Sequence, residues 1–115
     1  LVSQAIKIGK FRLVIHQMDD PGDLRDLGDQ FRQAFKSKGI SLIGTILNDK
    51  PMVMCAVTDD LTSKVQAGKV VKEIGSVMGG GGGGKPHIAT AGGSDVELLS
   101  NALAHGEKLI HNLLI

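Results

Sequence analysis

A run of six glycines followed by a lysine is the part of this sequence best suited to chemistry. It lies in the segment VMGGGGGGKPHIATAGG, which also contains a second glycine pair, Gly92-Gly93. Backbone without side chains lets a ligand come very close, and successive N–H groups can form a concave nest for phosphate oxygens. Lysine beside such a nest adds a positive charge. The candidate residues for a phosphate or polynucleotide contact are Gly79, Gly80, Gly81, Gly82, Gly83, Gly84, Lys85 and His87.

The glycine run is also consistent with tight packing of a chain reversal against the second glycine pair, or with simple slack in a loop. Two nucleotide-binding motifs fit the run trivially. The P-loop pattern G-x-x-x-x-G-K is matched, but Pro86 stands where a Ser or Thr hydroxyl must reach magnesium, and a helix rather than a strand is predicted before it. The dinucleotide pattern G-x-G-x-x-G is satisfied by any polyglycine and lacks its strand and helix.

Lysines are concentrated beside the glycine run. The stretch from Leu61 to His87 holds four lysines and one acid, Glu73, although the whole chain has a formal net charge of only +1. Nucleic-acid-binding domains usually carry a clear basic excess, so any electrostatic contact must come from a local patch. A solvated helix face is the alternative interpretation of these lysines. The cations of this patch are Lys64, Lys69, Lys72 and Lys85, and a second, weaker cluster consists of Lys7, Lys10 and Arg12.

Further candidate chemistry finds little support in the sequence. The single cysteine, Cys55, lies in an apolar run, has no base placed beside it and cannot form an internal disulfide. The four histidines show no metal-ligand spacing. No apolar run is long enough to span a membrane. We therefore expect no catalytic residue, no metal site and no membrane partner, and we predict a cytoplasmic location from the cysteine usage.

Hydrophobic periodicity predicts three helices and about four strands. A strand is expected from Phe11 to Met18, two more flank the turn Asn48-Asp49-Lys50 as a hairpin, and a fourth runs from His87 to Ala91. The glycine run is predicted to be a loop before this last strand. Apolar stripes at helical spacing run from Leu24 to Phe35, from Ala67 to Met78 and from Val96 to Leu113.

The predicted fold class is α/β (α+β), a small mixed sheet of about four strands packed with three helices. Several residues from Asp59 to Ser63 are candidate N-caps for the second helix, and Ser94 or Asp95 could cap the third. Residues 85–115 are too few for a second core, so residues 1–115 are predicted to form one domain. Because the sequence begins with Leu1, we expect a fragment of a longer protein.

The segment from Asp60 to Gly93 resembles a known family. It is similar to the DHHA1-type C-terminal globular domain of bacterial and archaeal alanyl-tRNA synthetases, whose pattern is matched by Ala67-Gly68, the glycines with Lys85 and Pro86, and the ending ATAGG. Gly81 stands where the family often has lysine, and Thr90 where glutamine is common. In DHH phosphoesterases a histidine directly follows the glycines, and the intervening Lys85 and Pro86 therefore favour the synthetase branch.

This resemblance implies a non-catalytic module that holds tRNA at the outer corner of its L shape and supports homodimerisation of the parent ligase. The parent would use ATP, magnesium and an editing-site zinc, none of which is expected in this fragment. Two alternatives remain. One is the substrate-binding C-terminal domain of a DHH phosphoesterase that acts on short RNA or dinucleotides, and the second is a module for dimerisation alone.

Overall fold

The computed structural model describes residues 3–8, 11–17, 24–35 and 37–114. Lys10 and Met18, which entered the sequence predictions, lie outside the described residues. Two short 3-10 helices, Asp59–Leu61 and Val96–Leu98, precede the second and third helices. The main elements are β1 (Ser3–Ile8), β2 (Phe11–Gln17), α1 (Leu24–Phe35), β3 (Gly39–Leu47), β4 (Lys50–Val57), α2 (Ala67–Val77), β5 (Gly81–Gly84), β6 (Ile88–Gly92) and α3 (Leu99–Leu114).

The described strands form one mixed sheet in the order β1-β2-β3-β4-β6-β5. β2 and β3 are parallel and are connected through α1, whereas every other neighbouring pair is antiparallel. The predicted α/β class with three helices is confirmed. The sheet has six strands rather than about four, because β1 was not predicted and because part of the glycine run, predicted as a loop, is a strand.

The predicted hairpin is formed by β3 and β4. Its turn residues Asn48 and Asp49 have φ values of +52° and +63°. Two consecutive left-handed residues match the twist of a two-residue hairpin, and Asn and Asp tolerate this conformation better than most side chains. The turn sets a register in which Thr45 faces Met52 and Ile43 faces Met54.

The helices cover the two faces of the sheet. α2 and α3 lie on one face and bury the larger core, in which Leu13, Leu42 and Ile74 have no exposed surface. α1 lies on the other face over a smaller cluster that includes Met54 and Ile88. Alternation along each strand therefore decides which face a side chain reaches.

The start of α2 differs from the prediction. The helix begins at Ala67, and its N-cap residue Gln66 makes no capping hydrogen bond through its side chain. Asp59 and Asp60 instead occupy the preceding 3-10 helix, where Asp59 pairs with Arg32. The prediction for the third helix is confirmed in part, because the Asp95 carboxylate accepts a hydrogen bond from the Glu97 N–H at the 3-10 turn that leads into α3.

A polar network fixes the beginning of β3. The buried Thr58 hydroxyl accepts a hydrogen bond from the Gly39 N–H at 3.1 Å, and the Asp60 carboxylate accepts one from the Lys38 N–H at 3.0 Å. Partial burial raises the pKa of Asp60. The hydrogen bonds from Thr58 and Lys38 and the Lys38 charge outweigh this effect, and the pKa lies below its ordinary value of 3.8.

α2 and β5 meet backbone to backbone. A Cβ atom placed on Gly68 would lie 2.9 Å from the Gly84 carbonyl oxygen, and one placed on Gly75 would lie 2.6 Å from the Gly81 carbonyl carbon. Both distances are shorter than side chains tolerate, so glycine is required on the helix for this approach. We call this line of contacts the glycine seam.

The Asp60 network predicts a specific acid dependence. Because the folded state lowers the pKa, the carboxylate stabilises the fold above the unfolded pKa of about 3.9, and the contribution is lost as pH falls through the folded pKa. We expect Asp60→Asn to lower the free energy of unfolding at about pH 6 and to lower it by less at about pH 2.5, where more of the carboxylate is protonated. Urea titration of both proteins measures this, and an equal difference at both pH values would contradict it.

The glycine seam predicts different effects on stability when alanine replaces Gly75 and when it replaces Gly81. Gly75→Ala should lower the free energy of unfolding by about 1–3 kcal/mol, because the added methyl group collides with the β5 backbone. Gly81→Ala is the matched control. No described atom lies within 4 Å of its Cβ position, so we expect it to be neutral or to stabilise by about 0.5 kcal/mol. Urea unfolding measures both changes, and equal losses would argue against the seam.

Candidate nucleic-acid interface

The glycine strand β5 lies at one edge of the described sheet and pairs only with β6 there. In this register Gly81 faces Gly92 and Gly83 faces Thr90. The Lys85 N–H continues the pairing by donating to the Ile88 carbonyl at 2.9 Å. The glycine run therefore presents a strand backbone held in place by its neighbour.

Alternate glycines of β5 have different surroundings. A Cβ atom on Gly82 would lie 2.8 Å from both the Ala91 Cβ and the Val71 carbonyl oxygen, and one on Gly84 would lie 2.7 Å from the Ala89 Cβ. Packing thus explains the missing side chains at these two positions. Gly81 and Gly83 point the other way, and no atom of the described residues lies within 4 Å of their Cβ positions. Packing does not require glycine at either of them.

A shallow groove of about 210 Å³ runs between β5 and the start of α2. Two exposed lysines, Lys69 and Lys72, project from α2 beside it, and the backbone of Gly83 forms part of its floor. We call it the glycine groove. Its lining residues are Gln66, Gly68, Lys69, Lys72, Gly82, Gly83, Gly84 and Pro86.

The remaining predicted cations are placed differently. Lys85 is exposed at the end of β5, and the half-buried His87 follows two residues later, where its carbonyl accepts a hydrogen bond from the Val57 N–H. The Lys64 ammonium lies 5.5 Å from the centre of the Phe11 ring and borders a separate groove between α2 and α3. The structure thus brings Lys69 and Lys72 to the glycine groove and places Lys64 outside its lining.

The first two glycines of the run form a turn rather than part of the groove. Gly79 has φ +78°, a left-handed conformation that favours glycine, and its carbonyl accepts a hydrogen bond from the Ser94 hydroxyl. The Gly80 N–H donates to the Gly75 carbonyl at 2.8 Å and so closes the end of α2. A Cβ atom on Gly80 would collide with the Gly92 carbonyl oxygen. These two glycines are explained by the chain reversal.

Sequence reasoning missed three lining residues of the glycine groove. Gln66 and Pro86 meet where the Ala67 N–H donates to the Pro86 carbonyl at 2.9 Å, which ties the start of α2 to the strand. Gly68 belongs to the family pattern, but nothing in its spacing shows that it faces Gly84 across the seam. Contacts between segments so far apart in sequence leave no local periodic signal.

The structure also describes the surroundings of the single cysteine and of the possible metal ligands. Burial raises the pKa of the Cys55 thiol to about 12, so the reactive thiolate is scarce at neutral pH. No group of three His, Cys, Asp or Glu side chains within the described ranges could hold a metal ion. None of the described helices is long and apolar enough to cross a membrane.

Comparison with known proteins places the chain in a family. The DHHA1 domain model matches residues 8–112. An alanine–tRNA ligase of Idiomarina loihiensis is 45% identical over 106 residues, which cover 90% of this chain and 12% of that protein. The corresponding ligase of Natranaerobius thermophilus is 38% identical over 117 residues, which cover 99% of this chain and 13% of that protein. The chain thus spans only about an eighth of these relatives.

Solved structures agree with this placement. The C-Ala domain from the Aquifex aeolicus alanyl-tRNA synthetase superposes with a TM-score of 0.81 at 30% identity, covering 96% of this chain and 97% of that one. A pGpG-specific phosphodiesterase from Vibrio cholerae shares the fold alone, with a TM-score of 0.58 at 14% identity over 96% of this chain and 34% of that one. The chain therefore belongs to the DHHA1 family, in the branch that forms the C-terminal C-Ala domain of alanyl-tRNA synthetases.

Proposed function

We propose that this domain binds tRNA at the outer corner of its L shape, as a non-catalytic accessory module of an alanine–tRNA ligase. The observation that carries the proposal is Gly83. Its backbone lines a groove bordered by two exposed lysines, a side chain at this position would point to the open face of β5 away from α2, and packing gives no reason for its absence. A phosphate or ribose approaching the backbone does give such a reason.

The charges beside the groove suit a phosphate backbone. Lys69 and Lys72 project from the first turns of α2, and Lys85 extends from the end of β5. Lysine acts as a strongly hydrated point charge with three donors, and such contacts position a nucleic acid without reading its sequence. Within the described parts of the chain, none of these three lysines forms an ion pair. Their charges are therefore available for phosphates.

The aromatic residues favour recognition of shape over recognition of bases. Phe11 is buried, and the half-buried Phe31 and Phe35 stack on each other with ring centres 4.4 Å apart. The chain contains no Trp or Tyr. Proteins that bind unstructured strands usually stack bases on exposed aromatic rings. We therefore infer that a folded RNA, read through phosphates and ribose, is the ligand.

Catalysis is assigned to other parts of the parent enzyme. The described residues offer no cluster suited to magnesium or zinc, and the single thiol is buried. No step of the proposed function involves ATP or a metal at this domain. A second proposed role is to support homodimerisation of the parent enzyme. If a monomer of this chain binds RNA, RNA binding does not depend on dimerisation.

The lysines give the first test of RNA binding. We expect Lys72→Ala and Lys85→Ala each to weaken binding of folded alanine tRNA and to reduce the slope of log affinity against log salt by about one unit, because each removes one phosphate contact. Fluorescence anisotropy at several salt concentrations measures both quantities. Lys108→Ala is the matched control, because this exposed lysine of α3 neither lines the groove, as Lys72 does, nor follows β5 directly, as Lys85 does.

Unfolded RNA of equal length, used as a competitor in the same titration, tests whether shape is read. Preference of the domain for folded tRNA supports the proposal. Equal binding of both RNAs, or no binding at all, would contradict it and would favour a module for dimerisation alone.

The glycines give a test that separates contact from packing. Gly83→Val should weaken tRNA binding at least about tenfold while the free energy of unfolding changes little, because its side chain enters open space on the face of β5 away from α2 and obstructs close approach of a ligand to the strand backbone. Gly82→Val should instead lower stability, because its side chain collides with Ala91 and the α2 backbone. Anisotropy and urea unfolding measure the two effects.

Gly81→Lys is the control for the glycine test. It places a side chain on the same open face of β5 but outside the groove lining, at a position where the family often has lysine. We expect this variant to fold and to bind tRNA at least as tightly as the unsubstituted chain. If Gly83→Val binds normally, the backbone contact is wrong even if the domain binds RNA.

A further inference from the structure

Several cationic positions meet at one end of the sheet, far along the chain from each other. β2, β3 and β6 begin at this end and β4 and β5 finish there, as their pairing directions require. Arg12, Lys38 and Lys85 therefore share one end of the molecule. α2 also starts there, because the Ala67 N–H bonds to the Pro86 carbonyl. The glycine groove opens towards the same end.

A separate pocket of about 370 Å³ lies at this end, beside the last turn of α1. Arg12 is exposed and alternates with the buried Phe11 and Leu13, so it projects on the α1 face of the sheet. Lys38 and Ser37 are also exposed. The pocket offers a guanidinium, an ammonium and a hydroxyl group and is lined by Arg12, Ala34, Phe35, Ser37 and Lys38.

The charges of this pocket are not consumed by ion pairs. No salt bridge joins Arg12 or Lys38 to a carboxylate among the described residues. Asp60 lies next to Lys38, accepts its backbone N–H and is attracted by its ammonium group, but no ion pair joins the two side chains, so the ammonium can still bind another anion. Asp59 is paired with Arg32. A guanidinium and an ammonium beside a hydroxyl group match the oxygens of a phosphate.

The backbone of Lys38 adds an independent observation. Its φ of +56° lies in the left-handed region, where a side chain is strained and glycine is favoured. The chain nevertheless carries lysine at this turn between α1 and β3. Strained residues of this kind cluster at active sites, ligand clamps and switch regions, and they persist where the surrounding structure holds them, as the hydrogen bonds to Asp60 and Thr58 do here.

The two cationic sites are too far apart for one phosphate. β2 and β5 are four strand intervals apart, which corresponds to about 19 Å at about 4.8 Å per interval. The Asp60 carboxylate borders the pocket beside Lys38 and repels a phosphate chain laid flat across this end, whereas the Asp59 carboxylate is paired with Arg32. An RNA that touches both sites must therefore arch over the Asp60 carboxylate, as a folded RNA does.

We propose that the pocket of Arg12, Ser37 and Lys38 is a second phosphodiester-binding site, which holds another phosphate of the same folded RNA that occupies the glycine groove. This inference rests on the proposed function for its ligand. It makes the domain a two-point clamp whose sites sit at opposite sides of one sheet end. Neither site alone selects a folded RNA, whereas the fixed spacing between them does.

The test uses the 115-residue chain and folded alanine tRNA in anisotropy titrations over a range of salt. Lys38→Gly and Arg12→Gln should each weaken binding roughly fivefold or more and lower the salt slope by about one unit. Lys38→Gly relieves the left-handed backbone, and urea unfolding of the variant shows whether a loss of binding is accompanied by a loss of stability. Asn48→Gly, at another exposed left-handed position, is the control for the backbone change.

Four outcomes decide between the proposals. If Lys38→Gly and Lys72→Ala both weaken binding and the double variant shows the product of the two losses, the clamp is supported. If Lys72→Ala weakens binding and the pocket variants do not, the second site is wrong and the proposed function stands. If the pocket variants alone weaken binding, the glycine groove is wrong and the pocket stands. If the 115-residue chain without substitutions binds no RNA, both proposals fail.

Discussion

The structure depends on the backbone contact between α2 and β5. Gly68 and Gly75 on the helix leave room for the carbonyl groups of Gly84 and Gly81, and no other residue type fits at these distances. Each ordered glycine costs about 0.5–1 kcal/mol more backbone entropy than alanine. Pairing with β6 and contact with α2 offset this cost, because they supply hydrogen bonds and close packing along the run. The same contact brings the α2 lysines beside a bare strand.

The positions of the charged residues matter more for the proposed RNA binding than the net charge does. The net charge of +1 predicts no attraction for nucleic acid over the whole surface. The strand directions nevertheless collect cations from β2, from the turn before β3 and from the end of β5 at one end of the sheet. At physiological salt, charges interact over about 8 Å, so such local groups act independently of acids elsewhere on the surface.

Features that depend on interactions between neighbours in sequence could be predicted, and features that depend on contacts between distant segments could not. The hairpin and the three helical stripes were predictable because turn chemistry and periodicity are local. The strand state of Gly81–Gly84 was not, since polyglycine has little strand preference and its conformation is imposed by β6 and α2. Lys64, Lys69 and Lys72 were grouped by proximity in sequence, and all three line the groove between α2 and α3, but only Lys69 and Lys72 also line the glycine groove. Gly82 and Gly83 stand in one uniform glycine run. Only the register of β5 shows that a side chain would collide with its neighbours at Gly82 and would meet open space at Gly83.

A paired strand suits the proposed recognition of RNA better than the flexible loop that six glycines suggest. A mobile loop would have to lose its conformational entropy when the ligand binds, and that loss would weaken the complex. In β5 the entropy is lost on folding, because β6 and the glycine seam already hold the backbone. The surface that Gly83 presents is consequently both bare and rigid. Under the proposed function, a rigid backbone with lysines at fixed positions would distinguish one RNA shape from another, although no described aromatic ring stands free to stack on bases.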